Sequence, residues 1–142
     1  MPSVASLFKK RRFVLDNQNR YTPAQIRYII CIYHLAQHDD GVKNLDIATA
    51  LGFSKPSVHN MLKYLADIGI VQKETFGLAY LTDNGRTIAQ KYATCYAVLS
   101  QKITDICGSD AASENAICGL LADMPFDRLN ELYHSNRNGK RG

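Results

Sequence analysis

From Ile26 onward, apolar residues recur three or four apart: Ile26, Ile29, Ile30 and Tyr33 share one face, and Tyr28, Ile32 and Leu35 widen it. That spacing predicts a helix reaching about His38, with a stripe broad enough to lie at the centre of a core. Thr22-Pro23-Ala24-Gln25 is a helix start, with Thr22 as N-cap, proline in the first turn and Gln25 placed to complete a capping box. Asp39-Asp40-Gly41 ends the helix, and Val42-Lys43 leads to Asn44, read as the N-cap of a short helix over 45–51 with Ile47, Ala48 and Leu51 inward. Gly52 stops it. Ser54 caps a third helix to about Ile68, in which Pro56 occupies the first turn, where a missing N–H costs no helical bond.

In that third helix Val58, Met61, Leu62, Leu65 and Ile68 form the apolar face, so Pro56, His59, Asn60 and Lys63 project the other way. Two short β-prone runs, 70–74 and 78–81, flank Thr75-Phe76-Gly77 and predict a hairpin. Thr82-Asp83-Asn84-Gly85 then caps a long helix to Cys107, with Ile88, Tyr92, Cys95, Leu99, Ile103 and Ile106 along a seam that calls for partner helices. Shorter helices over 113–123 and 126–133 follow. The fold expected is mainly α with a small β-hairpin wing: a winged helix-turn-helix over 21–82, a helical dimerisation region over 83–134, a basic N-terminal arm over 1–20 and a flexible tail from Ser135.

Two short helices joined by Gly52-Phe53-Ser54, the second polar on its outer face, have the layout of a helix-turn-helix whose second helix enters the major groove. The candidate DNA contacts are Ser54, Lys55, Pro56, Ser57, His59, Asn60, Lys63 and Lys73. Ser54, Ser57 and Lys63 suit phosphates. Asn60 suits bidentate pairing with adenine, His59 a guanine or a phosphate, and Pro56 a thymine methyl. A merely solvated helix face is the competing reading, and the order helix, helix, turn, helix, hairpin favours the winged helix over it.

The formal charge of +4 permits nucleic-acid binding without demanding it. No apolar run is long enough to span a bilayer, and the expectation is a cytoplasmic protein. No G-x-S-x-G, H-E-x-x-H or phosphate-binding glycine loop is present, so no enzyme is expected. Cys31, Cys95, Cys107 and Cys118 lack a C-x-x-C pair and are read as reduced thiols.

The stretch LDIATALGFSKPSVHNMLKYLADIGIVQKE, followed after the wing by LTDNGRTIAQ, resembles the diphtheria-toxin-repressor and manganese-regulator type of winged-helix transcriptional regulator. Some of those letters are common to other winged-helix families, the multiple-antibiotic-resistance type included. The resemblance implies a homodimer, joined by helices after the wing, that binds an inverted-repeat operator in double-stranded DNA, commonly as a repressor.

It also implies metal gating, and here the chain departs from the family. Where the family places ligands, this sequence offers Arg27 and Ile30 on the first helix, Tyr96 on the long helix, and Cys118, Leu121 and Ala122 on the next. One thiol among apolar neighbours cannot hold a divalent first-row metal. No cofactor is therefore expected, unless Cys31, Cys95 and Cys118 meet as a thiol metal site or act in redox control. The wing lacks a basic residue at its tip, which Lys73 and the basic run at 9–12 could offset. A winged helix serving as a protein-interaction module is the alternative function.

Overall fold

The computed structural model describes residues 21–37, 40–74 and 77–139. Its elements are α1 (Pro23–Leu35), β1 (Val42–Lys43), α2 (Asn44–Leu51), α3 (Lys55–Asp67), β2 (Val71–Lys73), β3 (Leu78–Leu81), α4 (Asp83–Cys107), a 3₁₀ turn at Ser109–Ala111, α5 (Glu114–Asp123) and α6 (Phe126–Gly139). Helix α1 begins with the reciprocal pair its sequence asks for. The Gln25 N–H donates to the Thr22 hydroxyl at 3.1 Å, and the Thr22 N–H donates to the Gln25 side chain at 3.0 Å. Two N–H groups that no helical carbonyl can reach are thereby satisfied. The helix ends at Leu35; His38 and Asp39 lie outside the described residues, as do residues 1–20 and the wing-tip residues Thr75 and Phe76.

The hairpin is part of a three-stranded antiparallel sheet of order β1-β3-β2. Val42 and Lys43, read as a connector, pair with Ala79 and Leu78. This moves the cap of α2. Lys43 is still extended by the ladder, at φ −82° and ψ 144°, so it holds the N-cap position without a side-chain cap, and Asn44 becomes the first helical residue. The Asn44 Oδ1 is left buried with no hydrogen-bond partner among the described residues, a cost of about 1–3 kcal/mol.

Helix α1 divides two apolar clusters, which is why its stripe is so wide. Tyr28, Ile29 and Ile32 pack into one with Ile47, Val58, Leu62, Leu65, Ile70 and Val71. Ile26 and Ile30 pack into the other with Tyr92, Cys95, Ile117, Cys118, Leu121, Leu129 and Tyr133. The seam of α4 is covered largely by this chain: Ile88, Leu99 and Ile103 pack against that second cluster, whereas Ile106 is 82% exposed. Helix α6 is longer than the pattern predicts, continuing past Tyr133 to Gly139, so 135–139, read as tail, is helical. Among the described residues no helix is long and apolar enough to cross a membrane.

The joint between sheet and α4 is tight. The Thr82 hydroxyl donates to the Gly69 carbonyl at 2.6 Å and accepts the Gly85 N–H at 2.9 Å, while the Thr82 N–H donates to the Ile70 carbonyl at 3.0 Å. Gly85 lies so close to Ile70 that a Cβ there would overlap the Ile70 carbonyl oxygen.

Candidate nucleic-acid interface

Helix α3 is anchored by Val58, Leu62 and Leu65, all fully buried, each contributing about 1.5–3 kcal/mol of apolar burial. With 100° between residues, that anchoring turns Pro56, His59, Asn60 and Lys63 outward, with Ser57 at the edge of that face, and Lys55 is exposed because it opens the helix. The turn before it is set by Gly52 at φ 73°, a left-handed conformation that lets the Gly52 and Phe53 N–H groups both reach the Ala48 carbonyl, at 2.8 and 3.2 Å. Phe53 then stacks on Tyr28 of α1, with ring centroids 5.6 Å apart and planes 16° from parallel. The start of α3 is thus pinned to α1 from the side opposite its polar face.

At that start, the Ser54 hydroxyl accepts the Ser57 N–H at 3.3 Å and donates to the Ser57 hydroxyl at 2.9 Å. The pair leaves hydroxyl oxygens beside the positive end of the helix, a place that favours phosphate. Lys73 comes from β2, yet its Nζ lies 3.2 Å from the His59 Nδ1. Either ring nitrogen of an exposed histidine can hydrogen-bond a phosphate oxygen or a base edge, so the contact brings a wing cation to a side chain suited to DNA. Sequence spacing gave no hint of this contact between wing and helix.

Pro56, His59, Asn60 and Lys63 lie on the outer face of α3, Ser54, Lys55 and Ser57 at its N-terminus, and Lys73 reaches His59 from the adjoining strand. Tyr64, 46% exposed and one turn beyond Asn60, belongs to the same face and escaped the sequence reading. Its spacing of four from Asn60 was the available signal. The basic run at 9–12 lies outside the described residues.

Four of the six positions matched to metal ligands also come together. Arg27, Ile30, Tyr96 and Cys118 line one cavity of about 200 Å³, with Cys31, His34 and Glu114 beside them, whereas Leu121 and Ala122 do not line it. Its chemistry does not fit a metal. The Arg27 Nε lies 3.1 Å from a Glu114 carboxylate oxygen, so a fixed cation already occupies that position. Burial, with Glu114 adding to it, pushes the Cys31 and Cys118 thiols up to about 11, which keeps both protonated and poor as ligands. Cys95 faces elsewhere, its thiol 3.5 Å from the Leu129 carbonyl oxygen, and burial pushes it up to about 11 as well. Among the described residues no three His, Cys, Asp or Glu side chains are placed to hold a metal ion.

These thiols give a direct prediction. Between pH 7 and 9 iodoacetamide should modify the exposed Cys107 while Cys31, Cys95 and Cys118 stay unmodified, as peptide mass mapping would report. The linkage has a definite sign: from pH 9 to about 11 unfolded thiols ionise while the buried ones do not, so stability falls across that window. Rapid alkylation of Cys118 at pH 8 would contradict the burial described.

The pattern of the IclR helix-turn-helix domain matches residues 32–75, under a third of the chain. Those residues run from the last turn of α1 to two residues past the end of β2. No curated protein matches the chain in sequence. Among solved structures, IdeR from T. acidophilum is similar at 16% identity and TM-score 0.59, over 78% of this chain and 52% of that one. The manganese regulator SloR is similar at 21% identity and TM-score 0.59, over 82% and 55%. A hypothetical protein, SSo2273 from Sulfolobus solfataricus, is similar at 21% identity and TM-score 0.54, over 84% and 91%. The chain folds as a winged helix-turn-helix followed by a helical region. It spans only about half the length of the IdeR and SloR chains.

Proposed function

We propose that this protein is a cytoplasmic, sequence-specific DNA-binding transcriptional regulator, a repressor acting as a homodimer on an inverted-repeat operator, without a metal switch. The observation that carries this reading is the outer face of α3, which no other part of the described chain covers. A helix anchored by Val58, Leu62 and Leu65 on one side, with Pro56, His59, Asn60 and Lys63 exposed on the other and Lys55 and Ser57 exposed at its start, fits the major groove and meets both phosphates and base edges. The exposed Ile106 near the end of α4 lies outside the intramolecular packing and supports a helical contact between two copies. The ion-paired Arg27 in the cavity supports metal independence. The motif segments that resemble the diphtheria-toxin-repressor type, and the fold shared with IdeR and SloR, support the same reading.

Selection from a randomised duplex library tests the proposal. An inverted repeat should be enriched, and failure to retain any duplex at low salt would overturn the reading. On the selected site, Asn60→Ala should cost about 1–3 kcal/mol at particular bases and relax specificity there, whereas Lys63→Ala should weaken all sequences alike. Equal, sequence-independent losses in both variants would remove Asn60 from base reading.

A further inference from the structure

We propose that the cavity at Arg27 binds a small monocarboxylate with an apolar body, and that its occupancy controls the α3 face. This rests on the reading of the chain as a DNA-binding regulator. The cavity opens between α1, α4 and α5 and holds about 200 Å³, the space of about six to seven water molecules at 30 Å³ each. That is too small for a drug-sized ligand and suits a body of a few carbons.

Its inner wall is apolar in character. Ile30 and Cys118 are buried there, the Cys31 and Cys118 thiols are held neutral, and burial likewise raises the Tyr96 phenol, so none of these three groups brings charge into the space. Fixed charge enters through Arg27, with a side chain 20% exposed, and its partner Glu114, which is 51% exposed, while the exposed His34 ring lines the rim. A half-exposed carboxylate is exchangeable: its pairing is worth little over its hydration. A ligand carboxylate arriving with an apolar body can take the guanidinium, against which it forms a two-pronged charge-assisted contact, and bury its carbons where Glu114 has none to offer.

Arg27 also carries the consequence. It hydrogen-bonds to Asn115 at the start of α5, and its guanidinium lies 5.9 Å from the centre of the Phe53 ring. Phe53 stacks on Tyr28 and immediately precedes Ser54, the cap of α3. Exchanging Glu114 for a ligand therefore alters the clasp between α1 and α5 at the residue that also braces the turn before α3. A ligand shifts such an equilibrium only as far as its affinity differs between the two arrangements, and the Glu114 contact, present in one and lost in the other, supplies that difference.

Calorimetric titration of the full chain with pentanoate, and with pentanamide as the uncharged counterpart, tests the site without DNA. Pentanoate should bind saturably at roughly millimolar concentration, and pentanamide at least tenfold more weakly. Arg27→Met should abolish the difference, and Cys31→Leu, which fills the cavity without touching the ion pair, should weaken pentanoate at least tenfold while melting as a cooperative fold. Equal binding of both compounds, or pentanoate binding unchanged in both variants, overturns the site. The DNA titration is read separately. Pentanoate binding in a chain that retains no duplex leaves the site standing and sinks the regulator; duplex binding with no saturable pentanoate heat does the reverse. Duplex affinity should change at least fivefold on pentanoate saturation in the native chain and not in Arg27→Met, and an unchanged affinity in the native chain sinks the control.

Discussion

Gly85→Ala should leave the protein severely destabilised, by about 3–5 kcal/mol, a large part of the roughly 5–15 kcal/mol that holds a domain together. The added methyl would overlap the Ile70 carbonyl oxygen and lie 2.8 Å from its carbon. Both are backbone atoms in the turn that opens β2, so no rotamer change can relieve the contact. Moving α4 outward instead would stretch the bond from the Thr82 N–H to the Ile70 carbonyl, now 3.0 Å, and the Thr82 hydroxyl contact with Gly69. Thermal unfolding should fall by about 10 °C or more at roughly 3–4 °C per kcal/mol for this size. Gly119 in α5 is the control: a methyl there meets nothing within 4 Å, and alanine should stabilise the helix by about 0.5–1 kcal/mol. A Gly85→Ala protein melting within 2 °C of the native chain, an interval chosen at about half a kcal/mol, would mean the joint is looser than described.

The same glycine marks the boundary of what periodicity can reveal. Read along the sequence, Gly85 is only part of a helix start; the reason for it lies 15 residues away in the backbone of Ile70, and no local pattern carries that distance. Helices α1, α3 and α4 were legible because each buries a stripe that repeats every three or four residues. Strand β1 was not, since two residues cannot show an alternation and its partner β3 comes 36 residues later. The polar face of α3 could be read from the positions of Val58, Leu62 and Leu65. The meeting of Lys73 with His59 depends on how the sheet folds back on the helix, and the role of Arg27 depends on Glu114 and Asn115, nearly ninety residues on. For α4 the seam was visible but its partner was ambiguous, because apolar spacing is the same whether the covering helix belongs to this chain or to a second copy.

Salt should weaken operator binding steeply, and the slope counts the cations that touch phosphate. Lys55 and Lys63 are exposed on α3, and Lys73 stands beside His59 with its Nζ 3.2 Å from the ring. Three cations per protomer, two protomers and about 0.9 per phosphate neutralised give a slope of about −5 in log affinity against log salt. Between 50 and 200 mM the affinity then drops by about 10³-fold. A single protomer bound through the same three residues would give about −2.7 instead, which makes the slope a measure of assembly on DNA as well as of contact. Removing charge at two positions, Lys55→Ala with Lys63→Ala, should reduce a dimer's slope by about 3.5 and leave the unfolding temperature almost unchanged, because both side chains lie in solvent. Fluorescence anisotropy at four or five salt concentrations resolves these slopes. A flat response, or one the double variant does not alter, would mean that the outer face of α3 does not lie against the phosphates.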